Sequence, residues 1–287
     1  MKNIILTGSS SGFGLLTAKT LAKKGYTVFA TMRNISTKNA VTVDQLRAWA
    51  LENHVNIIVI EMDVTSDASV EEAMGEISDM TGGHIDVLIN NAGSAYVGLN
   101  ETLSASQTNL MFQVNVIGAD RMIKAVLPYM HRRKSGQIIS LSSVMARQPI
   151  PVMGIYSATK AALDALSVSY YYELRGGGID ITILQPGAFP TTDIISNQME
   201  PHNPSAKDFY GEEMLHYVSR VESIFEAKPE SANPQIVADK IAELINSAKE
   251  DRSLWSIIEG GPLSQMVDQQ NQATRKIIDT IVAAAGI

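Results

Sequence analysis

The fold is decided near the N-terminus by the stretch Asn3-Ile4-Ile5-Leu6-Thr7-Gly8-Ser9-Ser10-Ser11-Gly12-Phe13-Gly14. It begins as a short apolar strand and passes through a glycine-rich turn into an amphipathic helical pattern. Glycines in such a turn let the backbone approach a pyrophosphate at the helix N-terminus, where free amides and the helix dipole favour anions. The alternative is a glycine-rich turn without a ligand, but the flanking strand and helix favour the phosphate site. The residues expected to bind there are Gly8, Ser10, Ser11, Gly12, Phe13 and Gly14.

Strand-like runs alternate with amphipathic helical patterns along the rest of the chain. The strand candidates are short, rich in Ile, Leu and Val, and show little alternation, as strands covered on both faces do. They cover residues 3–7, 27–31, 56–61, 86–89, 137–141, 179–184 and 254–257. The helical patterns fall at 12–24, 42–53, 67–80, 104–133, 155–175 and 234–248. This repetition predicts an α/β fold, a doubly wound parallel sheet with right-handed crossovers and helices on both faces.

Two segments interrupt this alternation. Residues 188–232 contain four prolines among apolar and acidic residues. So long an interruption in a compact domain indicates a lid or substrate loop. Residues 260–287 form a C-terminal extension, with a helix expected to end in the run Ala283-Ala284-Ala285. No repeat or linker divides the chain, so we expect residues 1–287 to form a single domain.

The composition excludes several classes of protein. The 287 residues are 45% hydrophobic and 18% charged, enough apolar chain for a large core. A formal net charge of −7 and a pI near 5.3 argue against nucleic acid or an anionic membrane surface as a partner. The chain has no cysteine, so disulfides, cysteine-ligated zinc and thiol catalysis are excluded. No apolar run approaches a signal-peptide core or the roughly 20 residues of a membrane span. We therefore expect a soluble, cytoplasmic protein.

A second group of residues indicates the chemistry. Tyr156 and Lys160 are four residues apart in a helical pattern, which places both on one face, one turn apart. Ser143 precedes the tyrosine by thirteen residues and follows the apolar run 138–141. That position is the carboxyl end of a predicted strand, where open parallel sheets bind ligands. A phenol with a movable proton, a neighbouring cation and a hydroxyl that orients a carbonyl indicate a site that reduces carbonyls or oxidises alcohols.

The end of the second predicted strand indicates which hydride carrier is used. In dinucleotide-binding folds an acid at this point binds the ribose 2′-hydroxyl of NAD, whereas an arginine accommodates the 2′-phosphate of NADP. Met32 stands where the acid would be, and Arg33 follows it. We therefore predict NADP (NADPH) in preference to NAD. The alternative is that Arg33 is a solvated loop residue.

Two further turns border the same crevice. Asp63, with Val64 beside it, follows the third strand and could accept a hydrogen bond from the adenine amino group. Asp63 also lies in a cluster of the kind that caps helices, and both interpretations stay open. Asn91, Ala92 and Gly93 follow the fourth strand, where the glycine would let the main chain pass close to the adenosine ribose.

Six motifs, in this order and spacing, resemble those of the short-chain dehydrogenase/reductase family. They are the glycine motif at 7–14, Asn-Asn-Ala-Gly at 90–93, Asn115, Ser143, Tyr156 with Lys160, and Pro186-Gly187. The resemblance covers roughly residues 1–257. It implies a single Rossmann-type domain whose seven parallel strands take the order 3-2-1-4-5-6-7.

The resemblance also implies roles for individual residues. The catalytic group would be Asn115, Ser143, Tyr156 and Lys160. In it, Asn115 would hold a water that relays protons to Lys160, and Lys160 would hydrogen-bond the nicotinamide ribose. The residues implied at the nicotinamide end are Tyr156, Lys160, Pro186, Gly187 and Thr191, the last of them at the carboxamide. The helices at 104–133 and 155–175 would form the contact of a homodimer or homotetramer.

The implied reaction interconverts a small-molecule ketone or aldehyde and an alcohol. We expect Tyr156 to be the general acid in reduction and the base in oxidation, with Lys160 lowering the phenol pKa from about 10. The candidate pocket residues are mostly apolar, which suits a lipophilic substrate. They are Tyr96, Val97, Met145, Met153, Phe189, Phe209 and Met214. Two alternatives stay open: epimerisation or dehydration on the same fold, and a non-catalytic NADP-binding regulator.

Overall fold

A computed structural model describes residues 1–192, 195, 197–226 and 233–286 of the chain. Seven strands form one sheet. Their bounds are β1 Asn3–Thr7, β2 Thr27–Met32, β3 Ile57–Glu61, β4 Val87–Asn90, β5 Gly136–Leu141, β6 Ile179–Pro186 and β7 Trp255–Ile258. Each strand lies within two residues of its predicted bounds, because short apolar runs between turn residues leave little freedom of assignment.

All neighbouring strands are parallel, and their order is β3-β2-β1-β4-β5-β6-β7. The predicted order is thus confirmed. The strand order reverses between β1 and β4, where Ile4 pairs with Val87 and Leu6 with Ile89. In open sheets of this kind ligands bind outside the carboxyl ends of the strands at that reversal.

Helices cover both faces of the sheet, as predicted. Their bounds are α1 Gly12–Lys23, α2 Ala40–Glu52, α3 Asp67–Thr81, α4 Ala105–Phe112, α5 Gly118–Arg133, α6 Gly154–Leu174, α7 Glu212–Glu226, α8 Gln235–Asn246 and α9 Ser264–Ala284. Side chains of α1, α2 and α8 pack on one face, and those of α3, α5 and α6 on the other. The two apolar clusters explain why the strands are apolar on both sides.

The helix predicted over 104–133 is interrupted. After α4, the five residues Gln113–Ile117 form a π-helical segment before α5 begins at Gly118. The extra residue in such a turn rotates the following side chains, and π segments are frequent at functional sites. Hydrophobic periodicity did not reveal this break, because it does not change which residues are apolar.

The segment 188–232 is not a loop throughout. Its described part contains a 3₁₀ helix at Pro204–Phe209 and the amphipathic helix α7. Residues 193, 194, 196 and 227–232 of the predicted loop lie outside the described residues. The prolines on either side of α7 made the whole segment look like a loop in the sequence. None of them lies within α7, so the helix itself is not interrupted.

The predicted C-terminal helix is confirmed as α9. It packs against α6 through polar contacts: Tyr172 donates its hydroxyl proton to Asp279 Oδ1 at 2.7 Å, and Arg275 Nη2 donates to the Tyr171 hydroxyl at 3.0 Å. The tyrosine run late in α6 is therefore used for packing. Within the described ranges, no helix combines the length and apolar character that crossing a membrane requires.

The turn between α6 and β6 packs closely against the backbone at the end of α5. Gly178 has φ 79°, and a Cβ there would collide with the carbonyl oxygen of Lys134. Gly176, two residues earlier, has nothing within 4 Å of its Cβ position. We expect Gly178→Ala to lower the free energy of unfolding by more than about 1–2 kcal/mol, the cost of a left-handed alanine alone.

The matched control is Gly176→Ala, which should leave stability unchanged or raise it by about 0.4–1 kcal/mol. Urea unfolding followed by circular dichroism measures both. Equal effects of the two substitutions would contradict the assignment of the left-handed position to Gly178.

Candidate active site

A cavity of about 380 Å³ lies at the carboxyl ends of the central strands. It is lined by most of the residues that the sequence predicts to bind a cofactor: Gly8, Ser10, Ser11, Gly12, Phe13, Gly14, Arg33, Asp63, Val64, Asn91, Ala92, Gly93, Tyr156, Lys160 and Pro186. These residues come from distant parts of the chain and meet because parallel strands place all their carboxyl ends at one edge of the sheet.

The glycine turn needs its glycines for close approach. Gly8 has φ 67°, and a Cβ there would lie 2.7 Å from Ala92 Cα. A Cβ on Gly14 would collide with the carbonyl oxygen of Gly8. The turn after β1 therefore packs directly on the turn after β4 and on the first turn of α1. Side chains would fill this space, so the residues present fit a ligand that approaches the backbone closely.

Asn91 holds this turn in place. Its Nδ2 donates to the carbonyl oxygens of Thr7 and Gly8, both at 2.8 Å. Thr7 Oγ1 in turn accepts from the backbone amides of Asn91 and Ala92 at 3.0 and 2.9 Å. The side chain of Asn91 thus hydrogen-bonds the backbone of the glycine turn, a role that was not predicted from the sequence.

The N-terminus of α1 opens onto the cavity. Ser11 is its N-cap, and no side-chain hydrogen bond caps the helix in the described part of the chain. The first turn contains no acidic residue. Uncapped amides and the positive end of the helix dipole together favour an anion such as a phosphate.

The far end of the cavity, beyond β2, is rich in hydrogen-bond donors. Arg33 lines it together with Lys38, Asn34 and Thr42. The described residues supply no acid within ion-pair distance of Arg33 or Lys38. Lys38 was not among the predicted residues, although a second cation five residues after Arg33 was a usable signal. This end of the cavity suits a dianionic phosphate better than a bare hydroxyl.

Asp63 takes part in a local turn and also borders the cavity. Its Oδ1 accepts from the backbone amide and hydroxyl of Thr65 at 2.9 and 2.8 Å. The N-cap of α3 is Ser66, whose side chain accepts from Ser69 N. Asp63 therefore organises the turn before the helix without capping it, and it stands beside Val64 at the cavity wall.

Tyr156 and Lys160 are both buried on α6, 8% and 4% exposed. Lys160 Nζ donates to the Leu141 carbonyl at the end of β5 (2.8 Å) and lies 5.7 Å from the centre of the Tyr156 ring. Burial lowers the pKa of Lys160 to about 8, an effect that Asp164 opposes. Tyr156 and Lys160 therefore lie on the same face of α6, as their spacing predicts.

The pKa of Tyr156 moves opposite to the expectation. Burial raises it to about 12, and a hydrogen bond with Ser143 only partly offsets this effect. Desolvation of the buried phenolate is the largest cause of this rise. The neutral phenol is therefore the stable form, which suits a proton donor better than a base.

Ser143 lies next to the tyrosine, at the start of the short 3₁₀ turn Val144–Ala146. Its Oγ accepts from Met145 N at 3.1 Å and donates weakly to the Pro186 carbonyl at 3.4 Å. Ser143 is 6% exposed and lies beside the Tyr156 side chain, whose pKa it acts to lower. Its neighbour Ser142 lines the cavity instead.

Asn115 lies in the π-helical segment, and both of its side-chain amide protons are donated within the protein. Oδ1 accepts from Ser94 N at 2.8 Å, while Nδ2 donates to Ser94 O at 2.8 Å and to Thr159 Oγ1 at 2.9 Å. It therefore ties the turn after β4 to α6. A water relay through Asn115 stays a prediction.

The nicotinamide end differs from the prediction in its details. Pro186 lines the cavity, but Gly187 packs on the main chain: its amide donates to Ile258 O at 2.7 Å, and a Cβ would collide with Glu259 O. Thr192 lines the cavity beside Gly12, whereas Thr191 is not among the lining residues that the structure describes. The glycine is thus required by β7 rather than by cavity space.

An apolar cluster covers the other side of Tyr156. The tyrosine packs there with Tyr96, Val97, Met153 and Val221, and the cluster extends to Met145 and Met214. Helix α7 contributes the outer wall. Two of the predicted pocket residues lie elsewhere: Phe189 packs edge-on against Phe13 with ring centres 5.3 Å apart, and Phe209 is 85% exposed.

The lowered pKa of Lys160 predicts a pH-dependent stability. Between about pH 8 and its ordinary value of 10.5, the unfolded chain binds more protons at this group than the folded protein does. Stability from this group therefore rises with pH across that interval. The free energy of unfolding of the wild type minus that of Lys160→Met should increase by up to about 1.4 kcal/mol per pH unit. Urea titrations at pH 7, 8, 9 and 10 measure it, and a constant difference would contradict the buried ammonium.

Known proteins share this architecture. A family described as short chain dehydrogenase matches residues 2–202. Among solved structures, an alcohol dehydrogenase from the archaeon Thermococcus sibiricus complexed with 5-hydroxy-NADP matches with a TM-score of 0.70 at 25% identity, over 90% of this chain and 96% of that one.

Two named relatives are similar to this chain in sequence. The 3-ketodihydrosphingosine reductase of Bacteroides thetaiotaomicron is 36% identical over 188 residues, 66% of this chain and 64% of that protein. Human retinol dehydrogenase 8 is 34% identical over 273 residues, 92% of this chain and 84% of that protein. With the glycine turn and the buried tyrosine–lysine pair placed as described, these matches show that the chain belongs to the short-chain dehydrogenase family of oxidoreductases.

Proposed function

We propose that the protein is an NADPH-dependent carbonyl reductase that converts a lipophilic ketone or aldehyde into the alcohol, with Tyr156 as the general acid. The observation that carries the proposal is the position of Tyr156 between two unlike environments. On one side it lines the polar cavity with Lys160, and on the other it belongs to the apolar cluster. A group so placed can pass a proton between a cofactor site and an apolar substrate.

The cavity suits NADPH along its length. The amides at the N-terminus of α1 and the turn at Gly8 would hold the pyrophosphate, and Arg33 with Lys38 would hold the 2′-phosphate. Met32 lines the cavity where an acid would be needed for NAD. When bound, the cofactor supplies a hydride for the carbonyl carbon. The alcohol dehydrogenase from Thermococcus sibiricus, whose structure contains 5-hydroxy-NADP, supports this choice.

The protein's own residues manage the proton. The phenol of Tyr156 gives its proton to the carbonyl oxygen, and Ser143, which hydrogen-bonds Tyr156, orients that oxygen. The ammonium of Lys160 favours the phenolate that forms and compensates for its burial. The raised pKa of Tyr156 makes the neutral donor form prevail at neutral pH, which favours the direction of reduction.

The apolar cluster supports a lipophilic substrate. Methionines 145, 153 and 214 belong to it, and flexible thioethers adapt to irregular apolar shapes. Two relatives are named for apolar compounds, retinol and 3-ketodihydrosphingosine. The apolar cluster and those names support the proposed substrate class.

The assembly that we propose is a homodimer or homotetramer through the helices around α4, α5 and α6. Leu110 and Ile117, at 47% and 39% exposure, place apolar side chains on this surface. Large apolar side chains at a helical surface favour an interface between subunits.

Oxidation of NADPH at 340 nm against ketones and aldehydes of graded size and polarity tests the function. Turnover should favour NADPH over NADH and grow with the apolar area of the substrate. Tyr156→Phe should lose the roughly 10²–10⁴-fold that general acid catalysis supplies, while NADPH binding survives.

The control is Tyr170→Phe on the same helix, whose hydroxyl bonds Asp120 at 2.6 Å and lies outside the cavity. It should retain turnover. Substantial turnover by Tyr156→Phe would remove this residue from its role. Cofactor binding without turnover of any substrate would favour a regulator, and tightly held nicotinamide without net turnover would favour an epimerase or dehydratase.

Cofactor preference depends on the donors beyond β2. Arg33→Asp should raise the Michaelis constant for NADPH at least about tenfold more than that for NADH, because the loss of a charge-assisted bond to a phosphate and added repulsion act only on the phosphorylated ribose. Lys38→Ala should act in the same direction but less strongly.

Steady-state kinetics with both cofactors measures this preference. Lys24→Asp makes the same change of charge at an exposed position outside the cavity and should leave the preference unchanged. Equal effects of Arg33→Asp on both cofactors would be the contrary result.

A further inference from the structure

A buried acid lies one helical turn beyond the catalytic lysine. Asp164 is fully buried on α6, four residues after Lys160, and it does not line the cavity. It therefore touches neither cofactor nor substrate in the proposed reaction. Burial raises the pKa of Asp164, and the neighbouring Ser142, Arg147, Gln185 and Lys160 act against that change. An isolated carboxylate at such depth would be strongly disfavoured, so these partners decide its charge.

The partners of Asp164 come from three different parts of the fold. Gln185 of β6 donates its Nε2 proton to Asp164 Oδ2 at 2.8 Å. Arg147, after the turn at Val144–Ala146, forms an ion pair with the same oxygen at 3.3 Å. Ser142 follows β5 and also acts to lower the pKa of Asp164, although its hydroxyl donates to Lys160 O at 3.4 Å. The other carboxylate oxygen, Oδ1, is buried and has no hydrogen-bond partner among the described residues. Among the described residues, the charged side chains that face Asp164 are Arg147 and Lys160 alone.

The C-terminal helix secures these partners. Asn271 of α9 is 1% exposed, which is unusual for an amide on the outermost helix. Its Oδ1 accepts from Arg147 Nε at 3.0 Å, and its Nδ2 donates to Gln185 Oε1 at 2.7 Å. The buried side chain of Asn271 thus holds both Arg147 and Gln185, which bind Asp164. The extension is tied to the interior by this amide as well as by the tyrosine contacts at its far end.

The charges alternate through the protein interior. The ammonium of Lys160 is desolvated on α6, and the carboxylate of Asp164 lies one turn later on the same helix. The guanidinium of Arg147 forms an ion pair with that carboxylate. Asp164 raises the pKa of Lys160 against the effect of burial. The charged side chains facing Lys160 in the described structure are limited to Asp164, and Tyr156 is the nearby titratable group.

We propose that Asp164 is a positioning residue that keeps the buried ammonium of Lys160 charged, and that Asn271 extends this support to helix α9. The proposal deepens the proposed function and rests on it in one respect, since the charged lysine is the form that stabilises the phenolate. The C-terminal helix thereby contributes to the chemistry from outside the site. Its contribution is electrostatic and is transmitted through three hydrogen bonds and one ion pair.

A second buried ion pair provides a matched control. Asp180 on β6 binds Arg252 at 3.1 Å, and their side chains are 8% and 12% exposed. It is a buried acid–arginine pair of the same kind as Asp164–Arg147, but it has no contact with Lys160 in the described structure. Asp164→Asn and Asp180→Asn each break one such pair, so a general cost of losing a buried pair is common to both.

The first measurement reports the charge of Lys160 without turnover. Lysine Cε signals are followed by NMR against pH in protein labelled with ¹³C-lysine, and the Lys160 signal is assigned by its absence in Lys160→Met. The wild type should titrate near pH 8. Asp164→Asn should titrate about one pH unit lower or more, because the opposite charge is lost. Asp180→Asn should titrate as the wild type does.

The second measurement is the pH profile of kcat/KM with a substrate that is turned over. In Asp164→Asn the fall in rate at alkaline pH should begin about one pH unit lower than in the wild type. A merely structural role would reduce the rate at every pH without moving the profile. An unchanged Lys160 titration in folded Asp164→Asn overturns the proposal.

Asn271→Ala decides the matter if Asp164→Asn does not fold. It removes the acceptor of Arg147 Nε and the donor to Gln185, so Asp164 holds its charge less firmly. The Lys160 titration should shift in the same direction as in Asp164→Asn but by less, and no shift overturns the proposal. A shift seen by NMR in a protein that reduces no carbonyl would uphold this inference and refute the proposed function, so the two fail separately.

Discussion

The burial of the Lys160 ammonium is the constraint on which the rest of the site depends. A cation held away from water is costly unless an acceptor and an opposite charge lie close by. The acceptor is the Leu141 carbonyl, available because β5 ends there, and the opposite charge is Asp164 on the same helix. Strand end, helix and acid must therefore be held in one arrangement. The parallel sheet supplies it by fixing β5 and β6 side by side under α6.

Helix α6 carries the central residues of the candidate site. Its first turns carry Tyr156 and Lys160, and Asp164 follows in the next turn. Its later turns carry the tyrosines that pack on α5 and α9. A helix anchored at both ends and along its buried face positions a phenol and an ammonium with little freedom, as the proposed general acid catalysis requires. The C-terminal extension shares in this anchoring, so it is more than an addition to the sheet.

The two sides of Tyr156 divide the labour between backbone and side chains. On the cofactor side, the geometry is made by main-chain atoms: Gly8 and Gly14 leave space, and Asn91 fixes the turn through two carbonyl oxygens. On the other side, apolar side chains of α7 and of the segment around Tyr96 enclose the phenol. In the proposed function, the backbone would bind the part of the cofactor that does not vary, and the apolar side chains would set the choice of substrate. The proposed function depends on both halves meeting at one hydroxyl.

The sequence by itself determined the strands, most helices, the glycine turn and the spacing of Tyr156 and Lys160, because each depends on residues close together along the chain. It could not determine that Gly187 serves β7, that Asn115 donates both amide protons within the protein, or that Phe189 packs away from the tyrosine. It also gave the wrong direction for the pKa of Tyr156, since spacing indicates a nearby charge but not the depth of burial. The path from Asn271 through Arg147 to Asp164 joins residues more than a hundred positions apart. Only the tertiary structure decided these points, because desolvation and long-range contact arise when the sheet and its helices pack together.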